Sequence, residues 1–403
     1  MTYGRRSFIK ILSQASLASG VLSFSSFEKK ISEHNPINPW IELSKEAYLK
    51  NAAEISKMAQ GKPVLAVLKN NAYGLGDVEV GQILDTSPHI SGIALVKEER
   101  ALALRNAGVK KPILLMADFN DNRGKALIES GISLSVHSYD SLKKIQQASK
   151  GTSSIAKVEI YVDTGLGRMG MPYYLARDLV RKVAEDGKLQ IVGIFTTLTT
   201  PPDFAKEQLK RFAKLIKDLK KDGIETGTQH AAPSSSLLDI PAAHLDQVRP
   251  GILLHGSFPL VNSSASKSYT LHPTFKLKAR VIRVEKLRKG DSVGFSRFYT
   301  APKDEWIATI PIGWADGYDS GSENGAKVLV GGRLYPVINV NASHCNLLLN
   351  SRGDIRVGEV ATMIGPDLPE ITPEGFAKSI KGHNYLQIQY KESIPKYVQE
   401  NFE

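Results

Sequence analysis

Short apolar runs alternate with longer amphipathic stretches from Trp40 to about Pro259. The apolar runs have the length of strands, and the stretches between them space their apolar residues as helices do, as in Phe204–Lys221. Repeated strand–helix units imply parallel strands joined by helical crossovers. The predicted strands are Val64–Leu68, Gly92–Val96, Pro112–Met116, Ser133–Val136, Val158–Val162, Ile191–Thr196, Thr228–Ala231 and Gly251–His255.

Eight such units over about 220 residues fit a (β/α)8 barrel, or TIM barrel. A doubly wound open sheet is the alternative, because a sequence does not show closure. After roughly Leu271 the pattern changes to alternating polar and apolar positions punctuated by glycine and asparagine, which favours a β-rich unit ending near Tyr397. We therefore predict an α/β fold with a barrel over residues 31–262 and a C-terminal β domain over residues 263–403.

The first 30 residues differ from the rest of the chain. Arg5 and Arg6 precede Ser-Phe-Ile-Lys and then a mildly apolar run rich in Ser and Ala, from Ile11 to Phe27. A basic start, a short apolar region and small residues are typical of an export signal. The arginine pair resembles the twin-arginine signal, so we expect residues 1–30 to be an export leader and the protein to be periplasmic or extracellular.

Composition narrows the class of protein without identifying it. Hydrophobic residues make up 42% of the chain and charged residues 23%, as in folded globular domains. The single cysteine, Cys345, excludes an intrachain disulfide and a zinc site built from several thiolates, and the nine scattered histidines indicate no metal site. No run reaches the ~20 apolar residues of a membrane-spanning helix. The net charge is +11, but the basic residues are interleaved with acidic ones along the chain. We therefore expect a basic protein face and no nucleic-acid partner.

Lys69 closes the first predicted barrel strand and is followed by Asn-Asn-Ala-Tyr-Gly-Leu-Gly. Catalytic groups of α/β proteins collect at the carboxyl ends of parallel strands. A lysine partly withdrawn from water there has a lowered pKa and can act as an amine nucleophile toward a carbonyl, or as a base. The tyrosine hydroxyl and the backbone amides beside the glycines suit a phosphate group.

This stretch resembles the pyridoxal-phosphate signature of alanine racemases, Ala-Val-x-Lys-x-Asn-Ala-Tyr-Gly-x-Gly. The resemblance continues in the family's order and covers residues 40 to about 400, which implies a cofactor-bearing barrel followed by a β domain. The further motifs are VDTGLGRMG at 162–170, HAAPSS at 230–235, VRPGI at 248–252 and IPIGWADG at 310–317.

The resemblance implies roles for particular residues. Lys69 would hold pyridoxal 5'-phosphate as a Schiff base and serve as a catalytic base. Arg168 would contact the cofactor's phenolic oxygen or Lys69, and Arg249 would face the pyridine nitrogen. It also implies an amino-acid racemase that works as a homodimer with shared active sites. The residues expected around the cofactor phosphate are Tyr73, Ser234, Gly251 and Ile252.

The pattern breaks where the family places its second base, a tyrosine of the partner subunit. Phe295 stands at that position, in Val-Gly-Phe-Ser, and phenylalanine has no proton to exchange. Tyr299 and His344 are candidates to replace it. The other departures are Thr197 for a histidine, Pro233 for an asparagine, Trp314 for a tyrosine, and Asn-Ala-Ser at 341–343 for Cys-Met-Asp.

Three functional hypotheses follow: a racemase, a one-base pyridoxal-phosphate enzyme for elimination, transamination or exchange, and a catalytically silent exported binding protein. A dinucleotide site is a further alternative, because Gly165–Gly170 has the spacing G-x-G-x-x-G. Such a site needs an acidic residue at the end of the next strand. The strand Ile191–Thr196 leads instead into Thr-Leu-Thr-Thr-Pro-Pro, which disfavours it.

Overall fold

The computed structural model describes residues 38–259, 264–381 and 390–402, and the predicted leader lies outside them. No helix within these ranges is long and apolar enough to cross a membrane. The first part of the described chain contains β1 (Trp40–Ser44), α1 (Lys45–Met58), β2 (Val64–Val67), α2 (Lys69–Tyr73), α3 (Asp77–Asp85), β3 (Ile90–Leu95), α4 (Glu98–Asn106), β4 (Ile113–Leu115), α5 (Gly124–Glu129), β5 (Ile132–Val136), α6 (Tyr139–Lys150), β6 (Ala156–Asp163), β7 (Met171–Pro172), α7 (Ala176–Ala184), β8 (Leu189–Phe195), α8 (Pro202–Lys221), β9 (Thr228–His230) and α9 (Ser234–Asp239).

The second part is rich in strands, as the alternating pattern predicts. Its elements form one long sheet and a small hairpin, with a short helix before the last strand. They are β10 (Phe275–Arg280), β11 (Arg283–Leu287), β12 (Ser292–Val293), β13 (Tyr299–Thr300), β14 (Glu305–Ile310), β15 (Lys327–Val330), β16 (Arg333–Val340), β17 (Cys345–Leu349), β18 (Val360–Ile364), α10 (Pro373–Ser379) and β19 (Lys396–Gln399).

The first sheet is a parallel barrel. Seven strands pair in the order β2-β3-β4-β5-β6-β8-β9. Parallel bridges join Val248 to Val64 of β2 and Gln247 to His230 of β9, so residues 247–250 take the eighth position and close the ring. The barrel prediction is confirmed, and closure excludes the doubly wound open sheet.

The eighth strand position lies earlier than we predicted. The run Gly251–His255 is not a strand: Ile252–His255 forms a 3-10 turn after the extended segment 247–250. Val67 N donates to the Pro250 carbonyl at 2.9 Å, and proline has no N–H with which to continue the ladder. The strand prediction was wrong here because the periodicity of a short buried apolar run does not distinguish a strand from a helical turn.

The segment Trp40–Ser44, which the sequence placed in the barrel region, is part of the second sheet instead. It pairs antiparallel with β10 and parallel with β19, near the end of the nine-strand order β11-β14-β17-β16-β15-β18-β10-β1-β19. The Ser44 hydroxyl then caps α1 by accepting from Ala47 N at 3.1 Å. The chain therefore passes from the β unit directly into the barrel.

The barrel interior is unusual in its polar side chains. (β/α)8 barrels normally fill this space with branched apolar residues. Here His230 Nε2 and Glu159 Oε2 lie 2.7 Å apart, and the His230 ring stacks on Phe195 at 5.0 Å. Arg249 is also buried inside. Burying these polar groups costs free energy, so their presence indicates a functional site near them.

Candidate active site

A cavity of about 640 Å³ opens at the carboxyl ends of the barrel strands. Active sites of (β/α)8 barrels form at this end. All seven predicted site residues line the cavity, although they come from four separate parts of the sequence. They are Lys69, Tyr73, Arg168, Ser234, Arg249, Gly251 and Ile252.

The turn α2 (69–73), directly after β2, is left-handed. Residues 70–73 all have positive φ, between 49° and 58°. This conformation costs roughly 1–2 kcal/mol per non-glycine residue, so surrounding contacts must hold it. Asn71 Oδ1 accepts hydrogen bonds from Asp77 N and Arg100 Nη2, each at 3.0 Å. Arg100 also pairs with the buried Asp77 carboxylate, which fixes the turn from behind the cavity.

The amine of Lys69 has an environment suited to chemistry. Its Nζ atom lies 5.7 Å from the centre of the Tyr73 ring. Burial lowers the pKa of Lys69, and repulsion from Arg168 lowers this pKa further. A larger share of the amine is therefore neutral near pH 7 than for a lysine in water. A neutral amine attacks carbonyls and takes up protons.

Tyr73, Ser234 and Gly251 meet at one edge of the cavity, which we call the phosphate corner. Gly251 N donates to Ser234 Oγ at 3.1 Å. A Cβ atom on residue 251 would overlap the Tyr73 hydroxyl and lie 3.0 Å from its Cζ, so glycine is required for the ring to approach the backbone. The corner offers two hydroxyls and backbone N–H groups, which are ligands for phosphate.

His255 supports this corner from behind. Its ring contacts the Tyr73 ring edge-on, with centres 5.0 Å apart, and its Nδ1 atom shares a hydrogen bond with Tyr48 Oη at 3.0 Å. Burial lowers the pKa of His255 to about 3. The imidazole is therefore neutral at physiological pH, and we interpret it as a packing residue rather than a proton donor.

Arg249 lies over the Phe195 ring, with the guanidinium carbon 4.9 Å from the ring centre. Its Nη2 atom donates to the Thr196 carbonyl and also lies 3.4 Å from Thr197 Oγ1. Its Nε atom is buried and has no hydrogen-bond partner among the described residues. Leaving a buried donor unpaired costs about 1–3 kcal/mol, so Nε is available for an acceptor atom of a ligand.

The glycine-rich loop Gly165–Gly170 carries Arg168 to the cavity. The Asp163 carboxylate accepts hydrogen bonds from the N–H groups of Gly165 at 2.8 Å and Leu166 at 2.9 Å. The backbone donors that a dinucleotide phosphate would need are thus already used by an acidic side chain. This arrangement argues against the dinucleotide alternative.

Phe295 and the two candidates to replace it as second base, Tyr299 and His344, lie outside this cavity. Phe295 is 99% exposed in the loop between β12 and β13. Tyr299 Oη donates to the Glu305 carboxylate, and burial together with Glu305 raises the pKa of Tyr299 to about 12. His344 Nδ1 lies 2.8 Å from Ser343 Oγ. Within one chain, none of the three lines the cavity.

Sequence reasoning missed Tyr161, which lines the cavity from β6. Its ring stacks on Phe195 at 4.4 Å, and its Oη atom lies 3.2 Å from Thr197 Oγ1. The available signal was its position two residues before Asp163, on the same strand face as Glu159. That signal is weak, because strands buried on both faces do not show which side points inward.

The fold and the cavity define a class of protein: a (β/α)8-barrel enzyme whose cavity contains a lysine of lowered pKa and a corner of groups suited to phosphate, followed by a C-terminal β unit. The chain belongs to the alanine racemase family. The profile described as alanine racemase, N-terminal domain, matches residues 43–259, and the profile of the C-terminal domain matches residues 274–396. Enzymes of this family use pyridoxal phosphate.

Individual relatives match both units of the chain. The alanine racemase of Methanococcus maripaludis is 31% identical over 356 residues, which cover 86% of this chain and 94% of that protein. The alanine racemase of Desulforamulus reducens is 32% identical over 338 residues, covering 82% and 91%. The structure of histidine racemase from Leuconostoc mesenteroides is 27% identical with a TM-score of 0.80, covering 91% of this chain and all of that one.

The cavity residues fit pyridoxal phosphate. Lys69 supplies an amine for the aldehyde, and the unpaired Nε atom of Arg249 supplies a donor for the ring nitrogen. The phosphate corner supplies hydroxyl and N–H groups for the phosphate, with Ile252 beside it. No part of this fit requires a metal ion.

Proposed function

We propose that the protein is a pyridoxal-phosphate-dependent racemase that interconverts the L and D forms of a small amino acid such as alanine. The observation that carries the proposal is the convergence of Lys69, Arg249 and the phosphate corner in one cavity of an alanine racemase family chain. Pyridoxal phosphate, when bound, supplies an electron sink that acidifies the α-hydrogen of an amino acid. Lys69 would anchor the cofactor and carry that hydrogen as a proton.

The position of Arg249 favours racemisation over elimination and transamination. A guanidinium has donors and no acceptor, so a ring nitrogen that receives a hydrogen bond from Nε stays unprotonated. An unprotonated ring withdraws electrons less strongly, and the α-carbon must regain its proton promptly. Prompt return of the proton suits racemisation better than elimination or transamination, which need a longer-lived carbanion.

Exposed aromatic residues of the β unit support a homodimer with shared active sites. Phe295, Phe298 and Trp314 are 99%, 72% and 57% exposed. The loops that carry them both pack near residues 339–342, where Gly294 approaches Asn339 and Trp314 N donates to the carbonyl of residue 341. Exposed apolar side chains that cluster, rather than single ones, are typical of protein interfaces. In the proposed dimer, Phe295 would face the partner's cavity.

The proposal is tested by incubating the purified protein with L- or D-alanine in deuterated water. We expect the opposite enantiomer to form and to carry deuterium at the α-carbon. In inversion the α-hydrogen leaves as a proton, and an enzyme group that exchanges with the solvent supplies its replacement. Chiral chromatography with mass spectrometry measures both quantities together. Histidine serves as a second substrate, because one structural relative is a histidine racemase.

The same measurement separates the other two hypotheses. Deuterium that enters with retention of configuration would indicate one working base and contradict the racemase proposal. No exchange with any amino acid, despite bound cofactor, would favour a silent binding protein. The absence of a tyrosine at position 295 is the observation that keeps both as competitors.

Export is the localisation part of the proposal, and it rests on Arg5 and Arg6 of the leader. Residues 1–35 fused to a reporter are expected to export it, and the double change Arg5→Lys/Arg6→Lys is expected to abolish export, because the twin-arginine route reads that pair. Fractionation of cells carrying each fusion measures the result. Unchanged export of the double variant would indicate an ordinary secretory route.

A further inference from the structure

Tyr161 is a buried phenol that the proposed reaction has not used. It lies 4% exposed on β6, lines the cavity and stacks on Phe195 with an interplanar angle of 26°. The stack holds the ring, and the hydroxyl has one described hydrogen-bond neighbour, Thr197 Oγ1 at 3.2 Å. The phenol is therefore held in place next to the ligand space rather than committed to a backbone group.

The barrel topology places Tyr161 across from Lys69. Counting residues 247–250 as the last of eight positions, β2 is the first and β6 the fifth. Positions four apart in an eight-membered ring are diametrically opposed. Lys69 follows β2 directly and Tyr161 stands two residues before the end of β6. The amine and the phenol thus reach the same cavity from opposite walls.

Thr197 connects Tyr161 to one of the predicted cofactor-binding residues, Arg249. Thr197 lies between Tyr161 Oη and Arg249 Nη2, at 3.2 Å and 3.4 Å. Through this threonine, the phenol lies close to the guanidinium whose Nε atom has no hydrogen-bond partner among the described residues.

The other proton-bearing groups of the cavity are less suited to proton transfer. Burial raises the pKa of Tyr73 well above its usual range, and its hydroxyl packs against Gly251 in the phosphate corner. Arginine side chains stay protonated in proteins, which excludes Arg168 and Arg249 as bases. Serine and threonine hydroxyls need a neighbouring base to accept a proton. Among the residues that line the cavity, Tyr161 is therefore the remaining candidate for proton transfer besides Lys69.

We infer that Tyr161 is the acid/base group that works opposite Lys69, in the role that Phe295 cannot fill; this inference rests on the proposed racemase function. Lys69 takes the α-hydrogen of one enantiomer as a proton, and Tyr161 gives its hydroxyl proton to the other face of the same carbon. The reverse reaction exchanges the two roles. A turnover leaves Lys69 with one proton more and Tyr161 with one fewer, and water at the cavity mouth returns the proton from one to the other.

The test is Tyr161→Phe, which keeps the ring stacked on Phe195 and removes the hydroxyl. We expect racemisation to fall by about 10²–10⁴-fold, the usual contribution of a positioned acid or base. The enantiomer whose α-hydrogen faces Lys69 is still expected to exchange this hydrogen for deuterium with retention of configuration. The opposite enantiomer is expected to lose its exchange. The cofactor content and thermal unfolding temperature of the variant are expected to match those of the parent.

Tyr335→Phe is the matched control, because Tyr335 is a buried strand tyrosine of the β unit whose hydroxyl lies 3.5 Å from the Asp354 carbonyl. It should leave racemisation and exchange unchanged. A Tyr161→Phe variant that racemises at the parent rate would overturn the inference and leave the proposed function standing. Loss of cofactor, or equal loss of exchange from both enantiomers, would reduce Tyr161 to a structural role. A parent protein that neither racemises nor exchanges would refute the proposed function, and this inference with it.

Discussion

Lys69→Ala is expected to reduce racemisation by about 10⁴-fold or more, because the variant loses both the amine that anchors the cofactor and the base on that side of the cavity. Borohydride should fix cofactor to the parent protein on the peptide that contains residue 69, and to no peptide of the variant. Peptide mass spectrometry after reduction measures this directly. The lowered pKa of Lys69, caused mainly by burial, and its position in the cavity are the reasons to expect labelling there.

Lys157→Ala provides the matched control. Lys157 lies near the start of β6 in the same barrel, where its side chain is exposed and does not line the cavity. Its loss should change neither borohydride labelling nor turnover. Labelling that moves to a different lysine in Lys69→Ala, with activity retained, would contradict the assignment of Lys69 and with it the orientation of the cofactor in the cavity.

The sequence predicts the position of Lys69 for a general physical reason. An apolar run of strand length followed by a lysine places the amine at a carboxyl edge of a parallel sheet, where side chains gather. Arg249, Ser234 and Gly251 are different, since neither periodicity nor spacing shows that segments 165 to 182 residues downstream meet the same edge. Their assignment depended on the family resemblance, and the structure brings them to that edge.

Other features were not accessible from the sequence because distant contacts decide them. The left-handed turn contains Asn70 and Asn71, which tolerate positive φ, but Ala72 and Tyr73 do not favour it. The turn is held by Arg100, which follows in a different helix. The strand Trp40–Ser44 joins the β unit because its partners, β10 and β19, come more than 200 residues later.

Phe295 is an apolar side chain at the position where the family resemblance places the second acid/base group. A family that takes its second acid/base group from the partner subunit needs the dimer for chemistry. If Tyr161 supplies that group from within the barrel, one chain contains both proton carriers, and in the proposed dimer the partner's β unit would only cover the cavity. Phe295, with no exchangeable proton, is compatible with that covering role.

Phe295→Tyr introduced into Tyr161→Phe is expected to raise racemisation at least about tenfold above the single variant, a cautious part of the range for a positioned acid or base. In the proposed dimer, the new hydroxyl would face the partner's cavity, on the side away from Lys69. The parent background should gain less, because Tyr161 already serves there. Chiral chromatography of alanine measures all four proteins, and Phe298→Tyr, in the same exposed loop, is the control that should not rescue.

Mixed dimers test the partner's contribution most sharply. One chain carries Tyr161→Phe and keeps Lys69, and the other carries Lys69→Ala together with Phe295→Tyr. Neither homodimer contains a complete pair of proton carriers around an anchored cofactor, whereas the mixed dimer contains one such site. We expect activity above the residual level of the Tyr161→Phe homodimer only on mixing, and this activity should rise with the fraction of mixed dimer measured by native mass spectrometry. Rescue by the double variant without any activity on mixing would place residue 295 beside the cavity of its own chain and contradict the shared-site dimer.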